Sequence, residues 1–526
     1  MQSSTATNGH GRFNTDNTMV DQNGISGLPV SSSPQTSAFT QQTVNGSAAA
    51  PAPSIIPPEH PFRTLVLCFD GTGDQFDADN SNIVQLFSML PKADRSRQMV
   101  YYQAGIGTYT SPQIATPFWS KVSKFIDEAI AWNLDAHVMG GYEFLMQNYT
   151  ATDRICIFGF SRGAYTARSL AGMLHKVGLL PADNHQQIPF AYKMYTNETE
   201  KGWAQSNAFK KAFSIDVDIE FVGVWDTVSS VGLLPKRLPF TTSNTIVRTF
   251  RHAVSLDERR AKFSPNLWNR PNATEQTLSI SDNKGPPKSP HHSKKMSQHD
   301  LEHRYARDRS QPTDIDEVWF AGCHCDVGGG SVDNATVRNL ARIPLRWMIR
   351  ECFKTNSGIM FDCEGLRSIG LDPDSLYPHV APRPPPLPLN NLRIQSVPTS
   401  KKQSKVQAEA ALSNFASSEA PPTPHKTEEE LDLLDAMCPI YDQLTLAWFW
   451  WILEFLPVKQ RYQKGDNTWV TYFGWNMGRG RFIPKQKVNG VRVHRSVKMR
   501  LEAQTENGGK YEPKAAFDLE RTTWVD

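Results

Sequence analysis

The chain has 526 residues, a formal charge of +3, 39% hydrophobic residues and 36 prolines, so it is long enough for a large enzyme domain, with part of it left outside any packed core. The near-balanced charge, with only short basic pairs such as Lys294-Lys295 and Lys401-Lys402, excludes the nucleic-acid-binding class. The seven cysteines lack paired spacing and read as reduced thiols. Cys323-x-Cys325 has no further ligands at workable spacing, so neither a metal nor a cofactor is expected. The N-terminus, MQSSTATNGHGRFNTDN, has no basic segment followed by an apolar one. It reads as lacking a secretory signal, and the expected location is cytoplasmic, with peripheral membrane association as an option.

In chain order, residues 1–60 are polar and read as a disordered tail. Residues 61–370 read as a catalytic domain with a low-complexity insertion at about 269–312. Thr64 to Phe69 is an apolar strand ending at Asp70-Gly71-Thr72-Gly73. Asn82 to Leu90 reads as a helix, Met99 to Gln103 as a strand, Ile126 to Tyr149 as a helix, and Arg154 to Phe158 as a strand before a helix over Ala164 to Val177. Glu220 to Trp225, Thr249 to Leu256 and Glu317 to Ala321 add three strands. Short apolar strands alternating with helices define an α/β fold, a mostly parallel sheet covered on both faces, with ligands expected at the carboxyl ends of the strands. Residues 378–428, including PRPPPLPL, read as a disordered Pro/Ser-rich linker. Residues 435–526 read as a C-terminal segment packed on the catalytic domain. Its stretch LTLAWFWWILEFLPV, Leu444 to Val458, is shorter than the roughly 20 apolar residues of a spanning helix. It reads as a buried helix, with bilayer contact through Trp448, Trp450 and Trp451 as the minority reading.

Gly159-Phe160-Ser161-Arg162-Gly163 stands between a strand and a helix. A serine at such a turn exposes its hydroxyl above the sheet, both glycines avoid clashes, and the amide of Arg162 faces a developing oxyanion. The serine needs a base and the base an acid, in the order Ser, Asp or Glu, His. Asp226 and His324 each follow a strand. His252 and His494 compete for the base, and Asp257 and Asp326 for the acid. The Asp70 loop offers a second oxyanion donor around Gly71 and Thr72, with Asp70 as its brace. A phosphatase reading of the same loop lacks its aspartyl nucleophile, because Cys68 stands at that position.

CFDGTGD at Asp70, YYQAGIGT at Gly105, IFGFSRGAYTARSLAGML around Ser161, FVGVWDTVSSVG around Asp226, HAVSLDERRAKFSP around Asp257 and VWFAGCHCDVGGG around His324 together resemble one α/β-hydrolase family. That family includes the phospholipase effectors of bacterial type VI secretion systems and has fungal members. The resemblance covers about residues 63 to 355. It implies the triad Ser161, Asp226 and His324, a serine hydrolase acting on esters of lipids or phospholipids, and no cofactor. Cys325 and Ser331 depart from its pattern beside the histidine. The alternative is a catalytically silent relative that acts as a binding or regulatory module.

Overall fold

The computed structural model describes residues 53–105, 119–228, 237–269, 298–306, 311–397, 426–464, 468–484, 486 and 490–526. Eight strands form its principal sheet: β1 (Thr64–Phe69), β2 (Gln98–Gln103), β3 (Arg154–Phe160), β4 (Ile219–Trp225), β5 (Val247–Ser255), β6 (Asp314–Phe320), β7 (Val491–His494) and β8 (Thr522–Val525). Their spatial order is β8-β7-β6-β5-β4-β3-β1-β2, and every neighbouring pair is parallel. The chain starts at β1, steps out to β2, and then returns to the far side of β1. The order therefore reverses between β1 and β3, the place where open parallel sheets hold their ligands.

Each central strand is apolar on both faces because helices cover both. Leu65, Leu67, Ile155 and Ile157 point into one core with Val138 and Tyr142 of α2 (Trp119–Asn148) and Leu170 of α3 (Ser161–Val177). Val66, Cys68, Cys156 and Phe158 point into the other, with Ile83 and Leu86 of α1 (Asn82–Ser88) and Leu345 and Ile349 of a helix over Arg342–Lys354. This period-two division is why β1 and β3 read as continuous apolar runs rather than alternating ones.

Four sequence expectations need correction. Order begins within the tail expected at 1–60, since Ile55–Ile56 pairs antiparallel with Phe361–Asp362. Most of the insertion at 269–312 lies outside the described residues, but Gln298–Arg304 is a helix whose Leu301 packs with Trp203 and Phe240. The linker expected at 378–428 is packed at both ends. Arg383, in the proline run, is buried against Glu428, Glu429 and Asp432, and Glu428–Ala436 is a helix capped by Thr427. Three clustered carboxylates at a capped helix start give that arginine its partners. Residues 398–425 lie outside the described residues, as do 1–52 of the expected tail.

The stretch Leu444 to Val458 is not one buried helix. It breaks into short turns, Gln443–Leu446, Trp448–Trp450 and Trp451–Glu454. Glu454 is the reason. Its carboxylate faces inward and accepts from Ala261 N at 2.6 Å, Asn476 Nδ2 at 2.8 Å and Gly478 N at 2.9 Å. A segment that turns its charged residue to the protein turns its apolar residues to solvent, so Trp448, Ile452, Phe455 and Leu456 are exposed. Among the described residues no helix is long and apolar enough to cross a membrane.

Candidate active site

Four loops converge at the carboxyl ends of β1, β3, β4 and β6. β3 runs directly into α3 at Ser161, whose φ of +58° is the left-handed conformation that non-glycine residues rarely adopt. A Cβ on Gly159 would lie 2.5 Å from Gly163 O, and one on Gly163 would lie 2.3 Å from Phe69 O and Asp70 O. Neither neighbour is a flexible side chain, so the glycines are what let the turn close against β1. Gly105 meets the same loop from β2, where a Cβ would fall 1.4 Å from Gly71 O.

Ser161 Oγ lies 2.8 Å from His324 Nε2, and His324 Nδ1 lies 2.5 Å from Asp226 Oδ2. Asp226 is fully buried directly after β4. Burial acts to raise its carboxyl, but the Arg481 charge and the bond from His324 outweigh that and hold it well below the usual carboxylate range. An ionised carboxylate only accepts, so Nδ1–H donates to it. Nε2 is then the acceptor for the serine hydroxyl. Burial lowers His324 below its ordinary value and Arg260 adds to this, against Asp226 and Glu258, which raise it. The imidazole is therefore neutral at pH 7.

The ring is held between two aromatic side chains, Phe160 and Phe263, each with its centroid 4.8 Å away. Gly328 allows the first contact, because a Cβ there would lie 1.8 Å from the Phe160 ring. Phe263 in turn carries Arg260 on its face at 3.5 Å and meets Trp450 at 5.8 Å. Glu258 holds Arg260 through both carboxylate oxygens and accepts from His324 N at 3.3 Å.

The Asp70 loop is braced from within. Asp70 accepts from Ser81 Oγ at 2.6 Å, Tyr102 OH at 2.8 Å and Gly71 N at 2.8 Å. The Gly71 amide, expected as an oxyanion donor, is thereby occupied by Asp70. Asp74 lies close over the same loop, its Oδ2 only 2.1 Å from where a Gly71 Cβ would sit. Burial, reinforced by Asp70, Asp77 and Asp79, pushes its carboxyl up to about 8.

The competing residues serve elsewhere. His252 Nε2 accepts from Thr227 N at 3.1 Å and its Nδ1 meets Glu317 at 2.9 Å, so it steadies the loop after Asp226. His494 caps the helix Arg495–Glu502 and stacks on Phe320 at 4.9 Å. Asp257 accepts from Gly322 N, Tyr511 OH and Lys514 N. Asp326 accepts from Cys323 N and Tyr441 N, and burial pushes it up to about 7. None of the four is bonded to Ser161. Reasoning from the sequence missed Glu258, Arg260 and Arg481. The first two stand in the LDERR run beside Asp257. Arg481 lies beyond every motif recognised in the chain.

A parallel α/β sheet carrying a serine on a strained strand-to-helix turn, hydrogen-bonded to a histidine, defines the α/β-hydrolase class. Within that class the chain belongs to the family described as the type VI secretion system phospholipase effector Tle1-like catalytic domain, which it matches over residues 63–351. An uncharacterized protein of Saccharomyces cerevisiae is 28% identical over 557 residues, covering 85% of this chain and 80% of that protein. Two solved structures are more distant. An uncharacterized protein from Pseudomonas aeruginosa is 15% identical with a TM-score of 0.33, covering 78% of this chain and 70% of its own. The Tle1 effector bound to the VgrG spike of the type 6 secretion system is 16% identical with a TM-score of 0.25, covering 51% of each chain.

Proposed function

We propose that the protein is a serine hydrolase that cleaves carboxylic ester bonds of lipids, phospholipids above all, through an acyl-enzyme on Ser161. The observation that carries this reading is the unbroken relay from Ser161 Oγ to His324 Nε2 at 2.8 Å and from His324 Nδ1 to Asp226 at 2.5 Å. Oγ attacks the ester carbonyl carbon as His324 Nε2 takes its proton. The amides of Arg162 and Thr72 receive the negative charge of the carbonyl oxygen. The C–O bond to the alcohol then breaks, and Nε2–H returns the proton to the leaving oxygen. Water repeats the sequence on the acyl-enzyme, with His324 again as base. Asp226 keeps the imidazole aimed and offsets the charge it gains. The family's description supports a phospholipid as substrate.

A lipid surface is the proposed partner. Trp448, Phe473 and Trp475 are 76%, 72% and 61% exposed, with Ile452, Phe455, Leu456 and Met477 exposed on the same two segments. Asn476 and Gly478 bond Glu454, which ties those segments together. Large apolar side chains exposed together on two tied segments support an interaction site there. Trp450 leads inward from it to Phe263 and so to His324. Trp450 and Trp451 are themselves committed to the protein, the latter donating to Leu444 O at 2.8 Å. The membrane-facing set is accordingly Trp448, Phe455, Phe473 and Trp475 rather than the three consecutive-region tryptophans. Fatty-acid release from phosphatidylcholine vesicles tests the reading. Wild type should release it, and Ser161→Ala or His324→Ala should not. Release unaffected by either substitution would sink the mechanism, and release of phosphate or headgroup alone would sink the ester specificity.

A further inference from the structure

Asp226 has an ionic partner that a triad acid does not require. Arg481 grips both of its oxygens, Nη1 donating to Oδ1 at 2.5 Å and Nη2 to Oδ2 at 2.9 Å. The same guanidinium donates to Ser255 Oγ at 2.7 Å and Phe263 O at 2.6 Å. It thereby ties the acid to the end of β5 and to the aromatic ring on the other side of the histidine. Ser255 N completes the cradle by donating to Asp226 Oδ1 at 2.9 Å. The side chains of Arg481 and Asp226 are 4% and 0% exposed. Arg481 arrives from outside the span 63–351 that the family match covers. Its segment is anchored beside the site by Glu454 through Asn476 and Gly478.

A buried ion pair is a poor way to gain stability alone, because desolvating two charges costs about as much as their attraction returns. A planar, two-pronged donor does, however, fix the plane of a carboxylate in a way that a single-point cation does not. Resting on the serine-hydrolase reading, we propose that Arg481 is a positioning residue of the reaction: it holds the Asp226 carboxylate in the orientation that aims His324 at Ser161, and it takes a share of that carboxylate's charge away from the imidazole.

Asp226 and Arg481 form a neutral pair, and so do Glu258 and Arg260, the other charged groups facing His324. His252 also senses Asp226, and it is buried and bonded to Glu317. When His324 takes the serine proton, its new charge meets an Asp226 carboxylate that Arg481 already compensates in part. The imidazolium is then a readier proton donor, which favours protonation of an alkoxide leaving group. Removing Arg481 restores the full charge of Asp226 to the imidazole, so the protonated ring becomes more stable and base activity is lost at a higher pH.

The experiment compares full-length wild type, Arg481→Met, Arg481→Lys and Ser161→Ala on a soluble short-chain ester across the acid limb of kcat/KM, with folding followed by thermal melting. Arg481→Met should lose about 100-fold in kcat with little change in KM, and its acid limb should move up by about one pH unit. Arg481→Lys keeps the charge without the fork, so it should lose kcat while its acid limb stays near that of wild type. If Arg481→Met does not fold, the lysine variant decides: wild-type kcat in it overturns the proposal. Wild-type kcat and an unmoved limb in folded Arg481→Met overturn it as well. A wild type that neither hydrolyses esters nor reacts at Ser161 instead removes the hydrolase reading beneath it. A wild type that reacts at Ser161, beside an Arg481→Met that reacts as fast with the same pH dependence, removes the role of Arg481 alone.

Discussion

Asp226 follows Trp225 with a φ of +41°, a left-handed conformation, and its carboxylate is bonded on both oxygens. A residue held that tightly leaves little room for a wrong imidazole tautomer. Replacing it with asparagine offers Nδ1 a group that can donate as well as accept, and should reduce kcat by about 10⁴-fold. It also leaves buried Arg481 without its carboxylate, so the melting curve should shift down and activity is read on the folded protein. His324 is lowered by its burial and must be neutral to act as base. The acid limb of kcat/KM should therefore lie below the ordinary histidine value of 6.5, with activity retained in mild acid and lost as the pH falls through the limb. A limb above 6.5 contradicts the burial argument. At this scale the residues with a motif around them were legible: Ser161 by its glycines, Asp226 and His324 by their strand ends. Arg481 was not, because nothing in the stretch WNMGRGRFIP sets it apart from Arg479 or relates it to the triad by spacing, and only the folded chain brings it to β4.

The turn between β3 and α3 depends on two positions without side chains. Gly163→Ala puts a methyl group 2.3 Å from two β1-side carbonyl oxygens, neither of which can rotate away. It should destabilise the protein by about 3 kcal/mol, measured by denaturant unfolding, and spread Ser161 from His324. A second junction joins the helices Arg342–Lys354 and Glu428–Ala436. Arg346, 1% exposed, donates to Asp432 and Asp435 at 2.6 Å each, and Arg350 binds Glu428. Arg346→Ala leaves buried Asp435 with only Arg342 at 4.0 Å, while Arg383 still holds Asp432, and should cost about 3 kcal/mol, measured by denaturant unfolding. The helix Glu428–Ala436 was not recognised in the sequence, because its run of acidic residues reads as solvated until the arginines that bury it are seen. The opposite misreading befell Leu444 to Val458. Apolar composition suggests burial, but the direction a segment faces is set by where its one charged residue finds partners, here Glu454.

Across the whole molecule, the sheet is finished by the end of the chain. β7 and β8 extend it beyond β6, with Val493 beside Trp319. They were missed as strands because each has only four residues, too few to establish a period. A chain cut after Ala436 loses both strands and Arg481, and uncovers the β6 edge. It should be recovered largely insoluble, judged by the soluble fraction on expression, even though the matched span 63–351 is untouched. On the solvent side, replacing Trp448, Phe455, Phe473 and Trp475 with serine should abolish co-sedimentation with phosphatidylcholine vesicles and leave hydrolysis of a soluble ester unchanged. Vesicle binding that survives the four substitutions places the lipid surface elsewhere. The hydrolase account as a whole turns on whether Ser161 is an activated nucleophile. Treatment of the intact protein with a fluorophosphonate, followed by mass spectrometry, should find one adduct on Ser161 in wild type and none in Ser161→Ala. Folded wild type without an adduct, or with one on a residue other than Ser161, contradicts it.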